Sequence, residues 1–436
     1  MIEQAKHHIN TKLPFLRNKK LLVAISGGLD SVVLTHICYT LGLDIKLAHC
    51  NFNLRGDESD TDEDFVLQLA EDLDLEVFVE SFDTEAYAKA NKQSIQIAAR
   101  ELRYNWFDEL ASQLQFDYIL TAHHADDNLE TFLINLSRGT GLDGLTGIPE
   151  INGRVIRPLL PFSREAILKY AKEHRLQWRE DSSNVSTKYL RNKLRHDVIP
   201  ILKDINPKLL QNFSKTQGYL NASRSIIEDR IIDVLEAVVE HTGDQTTSFN
   251  IEALKKLRNP KAYLFELLKP YNFTEWDDVV ALMDAQSGKQ VLSHTHRLIK
   301  DREYLLLSEL PSKTSQSISV ASTDTVVDIP LGALHFKEVA AVKQPSKAVV
   351  YVDKATLQFP LVLRQWHEGD VFYPLGMTGK KKLSKYFKDE KLSLLDKEQV
   401  WLLCSGDAIV WIVNWRPDNR FKVTNNTQTI LEIALQ

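Results

Sequence analysis

Four short stretches hold residue types whose spacing could do chemistry. The first is SGGLDS at 26–31, directly after the apolar run Leu21–Ile25. Gly27 and Gly28 can take positive φ and let a ligand approach the backbone. Successive N–H groups in such a bend form an anion nest, and a following helix adds its partly positive end. Ser26 and Ser31 add hydroxyl donors, so Ser26, Gly27, Gly28, Leu29, Asp30 and Ser31 form a candidate phosphate cradle. Asp30 is an acid beside a polyanion, which implies a cation between them, either Mg²⁺ or a cationic co-substrate. The second stretch is TAHHADDNLET, 121–131. If a helix starts at Asp126, Asp127 and Glu130 stand three apart on one face and could hold a metal or an ammonium group. The His123-His124 pair beside them lacks tetrahedral zinc spacing. The third is the glycine-rich RGTGLDGLTGI, 138–148. The fourth is AARELRYNWF, 98–107, where Arg103 could reach a nucleotide.

The surrounding pattern supplies elements to position them. Apolar runs at 21–25, 45–49, 76–79 and 118–122 read as buried strands. Helical spacing over 30–41, 62–73, about 94–114 and 126–136 separates them. Strand–helix alternation predicts an α/β fold with a doubly wound parallel sheet. Its ligand belongs beyond the carboxyl ends of the strands, where Ser26, His49 and His123 all fall. Four parts are expected: residues 1–215 as the nucleotide-binding catalytic domain, and 216–310 as a mainly helical domain. A Ser/Thr/Val-rich linker is expected at 311–350, and a small β-rich α+β domain at 351–436.

Composition limits the function class. The chain has 436 residues, 43% hydrophobic and 26% charged, with a net charge of −6, an ordinary globular profile. Three scattered cysteines, Cys38, Cys50 and Cys404, form no CxxC pair. That opposes a disulfide framework and a zinc or iron–sulfur site, and it suits a reduced cytoplasm. No signal core and no apolar run of about 18 residues occur, so no membrane partner is expected. The acidic total still contains local basic runs. One is NVSTKYLRNKLRHDVIP, with Lys188, Arg191, Asn192, Lys193 and Arg195. The other is GKKKLSKYFKDEKL, with Lys380, Lys381 and Lys382 at its start. Both suit RNA phosphates.

SGGLDS is no Walker A loop, because no Gly-Lys pair stands at the required spacing. It resembles the pyrophosphate (PP-) loop of the N-type ATP pyrophosphatases. With AHCNFNLRGDES, AARELRYNWF, TAHHADDNLET, RGTGLDGLTGI and EDSSNVSTKYLRNKLRHDVIP in this order, residues 20–215 resemble the bacterial tRNA(Ile)-lysidine synthases, long form. FYPLGMTGKKKLSKYFKDEKL carries a looser likeness to their C-terminal part. The CNFN turn after the second strand departs from the family pattern and leaves His49 and Arg55 without a role.

That resemblance implies a ligase. ATP adenylates the C2 oxygen of the wobble cytidine in a tRNA(Ile) with a CAU anticodon. Free lysine then attacks C2 through its ε-amine, and AMP and pyrophosphate are released. Codon reading moves from AUG to AUA. On this chain residues 26–31 would cradle ATP, and Arg103 would contact nucleotide phosphate or the adenylated intermediate. Asp30, Asp127 and Glu130 would hold the lysine ammonium, Mg²⁺ or both. A cytoplasmic location and a homodimer are further expectations. The rival readings are another PP-loop tRNA-modifying enzyme, such as a thiolase, and a non-catalytic tRNA-binding protein.

Overall fold

The computed structural model describes residues 1–180, 190–243, 246–310, 317–343, 346–377 and 379–436. The chain divides into two compact units, Met1–Glu228 and Asp229–Gln436, with the boundary inside one long helix.

In the first unit the helix Ile2–Lys12 (α1) precedes the strand Leu21–Ala24 (β1) and the helix Leu29–Thr40 (α2). Then come Ile45–Asn51 (β2), Asp57–Asp72 (α3), Val77–Ser81 (β3), Thr84–Ala90 (α4) and Ile95–Gln113 (α5). Tyr118–Leu120 (β4), Ala125–Arg138 (α6) and the short Leu142–Leu145 (α7) follow. The hairpin Ile151–Asn152 (β5) and Val155–Ile156 (β6) leads to Arg164–Glu173 (α8). Leu190–Lys193 (α9) runs through a π-helical turn at Leu194–Val198 into Ile199–Ile205 (α10), and Leu209–Val238 (α11) closes the series.

The sheet order is β3-β2-β1-β4-β6-β5, parallel except for the β5–β6 hairpin at the edge. Its middle strand is apolar on both faces (Leu21, Leu22 and Val23 are sealed), which is why the run reads as buried strand rather than alternating strand. Val33, Leu34 and Ile37 of α2 pack with Leu21 and Val23 into the main core. Phe107 and Ala111 of α5 cover the other face with Leu22 and Ile119. The α/β doubly wound expectation holds. Cys38 is packed in this core, and Cys38, Cys50 and Cys404 are all free thiols.

The second unit carries more strand than its sequence suggests. Within 216–310, five strands form one antiparallel sheet: Val239–Gly243 (β7), Thr246–Asn250 (β8), Gln290–Leu292 (β9), His296–Asp301 (β10) and Tyr304–Glu309 (β11). They pack with helices Ile251–Lys256 (α12), Pro260–Leu268 (α13) and Trp276–Ala281 (α14).

The stretch 311–350 is not simply a linker. It contains Ser317–Val320 (β12), Val326–Ile329 (β13), Gly332–Val339 (β14) and the start of Val349–Asp353 (β15). β12 exposes Ser317 and Ser319, while β13 exposes Val326 beside Asp328, so apolar and polar residues do not sort cleanly by face. Their partners also lie far along the chain: β12 pairs with Leu361–Gln365 (β16), and β14 with the last strand, Ile430–Leu435. Two four-stranded sheets enclose a core around Leu363, Leu403, Trp411 and Ile433, the β-rich end expected from the sequence.

Candidate active site

The Gly-Gly bend links β1 to α2 at the carboxyl end of the central strand. Gly27 has φ +80°, and a Cβ there would stand 3.2 Å from a Phe65 ring carbon. No L-side chain fits without strain. Ser31 locks the bend from inside: its Oγ accepts from the Ser26 N–H at 3.2 Å and donates to the Gly28 carbonyl at 2.9 Å. Arg179 ties down the outer side by donating its N–H to the Gly27 carbonyl at 2.9 Å. Gly28 caps α2 with extended backbone and no side-chain cap, and a Cβ there would meet nothing closer than Ser26 Oγ at 3.5 Å. Its bare backbone lines an open cavity of about 620 Å³, together with Ser26, Leu29, Asp30 and Ser31.

Helix α6 brings the acids. Its first turns bury polar side chains: Asp126, Asn128 and Glu130 are all less than a tenth exposed. His124 caps this helix. Its Nδ1 accepts the Asp127 N–H at 3.3 Å, and Asp127 Oδ2 accepts the His124 N–H at 3.0 Å. That bond leaves the imidazole proton on Nε2, which lies 3.4 Å from Asp127 Oδ2 and 3.7 Å from Asp30 Oδ2. His124 thus joins an acid of α2 to an acid of α6. Burial would depress its pKa, but Asp30, Asp127 and Asp126 outweigh that and hold it above its ordinary value. Burial likewise raises the Asp30 carboxyl, but His124, then Arg164 and Arg195, outweigh it and keep the group below its ordinary range. Arg164 Nη1 donates to Asp30 Oδ2 at 3.1 Å.

Asp30 Oδ1 is buried and has no hydrogen-bond partner. An ionised oxygen in that state fits a bound cation, whether a metal ion or an ammonium. Among the described residues no three His, Cys, Asp or Glu side chains cluster as a metal site, so a Mg²⁺ held by Asp30 would need ligand oxygens from its substrate.

Sequence reasoning expected Glu130 to face the ligand beside Asp127. The structure separates the two. Asp127 lines the cavity, whereas Glu130 is 1% exposed and does not. Glu130 Oε1 accepts from Arg195 Nε at 2.6 Å, and Oε2 accepts from Arg195 Nη2 at 2.9 Å. Arg191 Nε adds an ion pair to Oε2 at 3.1 Å. Arg195 also donates to Asp127 Oδ1 at 3.0 Å. Burial raises the Glu130 carboxyl, partly offset by Arg195.

The same bonds revise the expectation for Arg191 and Arg195. Read as RNA-facing, they turn their guanidiniums onto a buried acid and a cavity acid, because an uncompensated buried carboxylate costs more than lost hydration of an arginine fork. Both still reach the cavity wall. Asn192 shares their helical turn, and Lys188 lies outside the described residues. Arg103 lines the cavity with its guanidinium 5.1 Å from the Phe52 ring centre. Lys380, Lys381 and Lys382 belong to the second unit, where Lys381 pairs with Asp389 at 2.7 Å and stands over the Tyr386 ring.

His49, left without a role, is buried, with Nδ1 donating to the Ile25 carbonyl at 2.9 Å. Burial keeps it neutral, and it props the strand end before the bend. Arg55 and Arg179 both fork onto buried Asp62 of α3, at 2.8 and 3.0 Å. Sequence reasoning missed His124, Arg164 and Arg179. Only RPLLPFSRE, 157–165, carried a readable signal: two arginines flanking an apolar turn after a strand.

Comparison with known proteins follows this geometry. The PP-loop domain family matches residues 1–202. Two further families match in the second unit: the "TilS substrate binding domain" at 241–310 and the "TilS substrate C-terminal domain" at 361–433. A tRNA(Ile)-lysidine synthase from Parabacteroides distasonis is 41% identical over 436 residues, covering 99% of both chains. That from Bacteroides thetaiotaomicron is 37% identical with the same coverage, and that from Porphyromonas gingivalis is 36% identical over 94% of this chain and 93% of its own.

Proposed function

The chain belongs to the tRNA(Ile)-lysidine synthases, and from that membership we propose how its own residues carry the reaction. It is a ligase that forms a carbon–nitrogen bond, joining lysine to C2 of the wobble cytidine of tRNA(Ile) at the expense of ATP. AMP and pyrophosphate are the by-products. ATP lies on the bend 26–31, and the single observation that carries this placement is the bend itself, turned by Gly27 at φ +80° against Phe65 so that Ser26, the bare backbone of Gly28, Asp30 and Ser31 line the open cavity. Mg²⁺ at Asp30 would neutralise phosphate charge there.

Free lysine supplies the nucleophile. Its ε-amine has an ordinary pKa near 10.4, so it arrives as an ammonium (about 10.4). Asp127 faces it from the cavity wall, with Asp30 close by through His124. These carboxylates favour the charged form, so they capture lysine but oppose its activation. Asp127 or a phosphate oxygen of the adenylate takes the proton as the amine attacks. Glu130 does not touch lysine in this reading. It fixes Arg195, which in turn orients Asp127. Arg103 serves the nucleotide phosphate or the adenylated cytidine.

A thiolase would need a reactive cysteine on the cavity. Cys50 is the cysteine that lines it, and burial pushes its thiol up to about 12. The proposal also includes RNA contacts through Lys380–Lys382, a cytoplasmic location and a homodimer. No helix among the described residues is long and apolar enough to cross a membrane. Incubation with ATP, lysine and transcribed tRNA(Ile) tests the whole reading. AMP, pyrophosphate and lysine-bearing RNA should appear together. Asp127→Asn should abolish lysine incorporation, and near-normal incorporation by that variant removes Asp127 from the site.

A further inference from the structure

Among the described residues, five arginines line the catalytic cavity: Arg103, Arg164, Arg179, Arg191 and Arg195. Four are held by carboxylates, Arg164 by Asp30, Arg179 by Asp62, and Arg191 and Arg195 by Glu130. Arg103 differs. Among the described residues neither an ion pair nor a hydrogen bond engages its side chain. Its guanidinium carbon stands instead 5.1 Å from the centre of the Phe52 ring, which lines the same cavity. An aromatic face attracts a guanidinium through its quadrupole. It does not neutralise the cation or take up both prongs of the fork, as a carboxylate does, so Arg103 keeps its charge and its donors for an anionic ligand.

The CNFN turn, the stretch that departs from the family pattern, sets the Phe52 ring in place. Asn51 is 3% exposed, and its Nδ2 donates to Asp60 Oδ1 at 3.1 Å and to Glu63 Oε2 at 2.8 Å. Its Oδ1 accepts the Asn53 N–H at 3.1 Å, closing a tight turn in which Asn53 takes φ +52°. Buried Thr84 donates its hydroxyl to the Phe52 carbonyl at 2.9 Å. The ring itself stacks with Phe82, centroids 5.8 Å apart and planes 22° apart. Phe82 in turn packs edge-on with Trp106, centroids 6.3 Å apart, and Trp106 follows Arg103 by one turn of α5. An aromatic chain thus ties the turn after β2 to the helix that carries Arg103. That packing fixes where the ring lies, and so where the guanidinium rests.

We propose that Phe52 is a positioning residue: its ring holds the Arg103 guanidinium at the cavity wall, fork unspent, to meet the phosphate that the nucleotide carries into adenylation. Phe52 acts through Arg103 rather than on the substrate. This rests on the synthase reading above and gives the CNFN turn a role in the first half-reaction.

The test varies the ring and leaves Arg103 in place. The full-length enzyme, ATP, lysine and transcribed tRNA(Ile) are used throughout. Phe52→Leu should lower kcat/KM for ATP about two- to fivefold, the worth of a solvent-exposed cation–π contact, while the KM for lysine stays at its wild-type value. Phe52→Tyr keeps the aromatic face and should restore most of that loss. Mono-, di- and trifluorophenylalanine in place of Phe52 keep the ring's shape and drain its negative face, so kcat/KM for ATP should fall stepwise along the series. The series decides alone if Phe52→Leu does not fold. In an Arg103→Met background, which lacks the cation, Phe52→Leu should cost nothing more. A flat fluorination series shows a ring that only packs and overturns the proposal. So does Phe52→Leu at wild-type efficiency, Phe52→Tyr as impaired as Phe52→Leu, an equal cost of Phe52→Leu with and without Arg103, or a loss confined to the lysine KM. A wild type that makes no lysine-bearing RNA refutes the synthase reading instead, so the two failures are distinct.

Discussion

Glu130→Gln separates an anchoring acid from a ligand-binding one. The substitution keeps shape and removes the charge beneath Arg195 and Arg191. Three contacts are at stake, at 2.6, 2.9 and 3.1 Å. Breaking a fully buried pair costs about 3–5 kcal/mol. Glu130 is sealed, but the Arg195 and Arg191 side chains are 23% and 44% exposed and regain hydration when released. The lower bound of about 3 kcal/mol therefore applies. The unit Met1–Glu228 is large enough that each kcal/mol shifts its midpoint by about 2–4 °C. Thermal unfolding of the full chain should then show the catalytic unit melting about 6–12 °C lower. Lysine incorporation should fall as well, because Arg195 no longer orients Asp127. Melting within about 2 °C of wild type, together with impaired lysine KM, would show that Glu130 meets the substrate directly and would refute the anchoring argument.

Two further outcomes follow from the same geometry. Gly27→Ala places a methyl 3.2 Å from Phe65 at φ +80°, which costs about 1–3 kcal/mol of strain, and ATP affinity measured by calorimetry should drop; unaltered ATP affinity would count against the bend as phosphate cradle. Below pH 6.5 the unfolded chain takes up a proton at His123 before the native chain does, since the native imidazole titrates near about 4. Stability from this group is thus present above pH 6.5 and is lost as pH falls toward 4. His123→Asn should flatten the slope of melting temperature against pH in that window, and an unchanged slope would mean that His123 is not buried neutral.

The sequence by itself determined the sheet, the bend and the acids. Leu21–Ala24 is apolar on both faces, the glycines follow it directly, and α6 begins beside the expected Asp126. These are local signals: periodicity, backbone freedom and helix capping each lie within a few residues of one another. Tertiary structure alone decided which acids face the ligand. Asp127 and Glu130 share a helix face, yet Arg195, more than sixty residues on, covers one and touches the other. Nothing in the spacing DDNLE carries that difference. The strands in 311–350 likewise wait for partners as distant as residues 430–435. Which buried charge is paired, and which is left for a substrate, depends on long-range neighbours in a low-dielectric interior. A linear pattern does not record those neighbours.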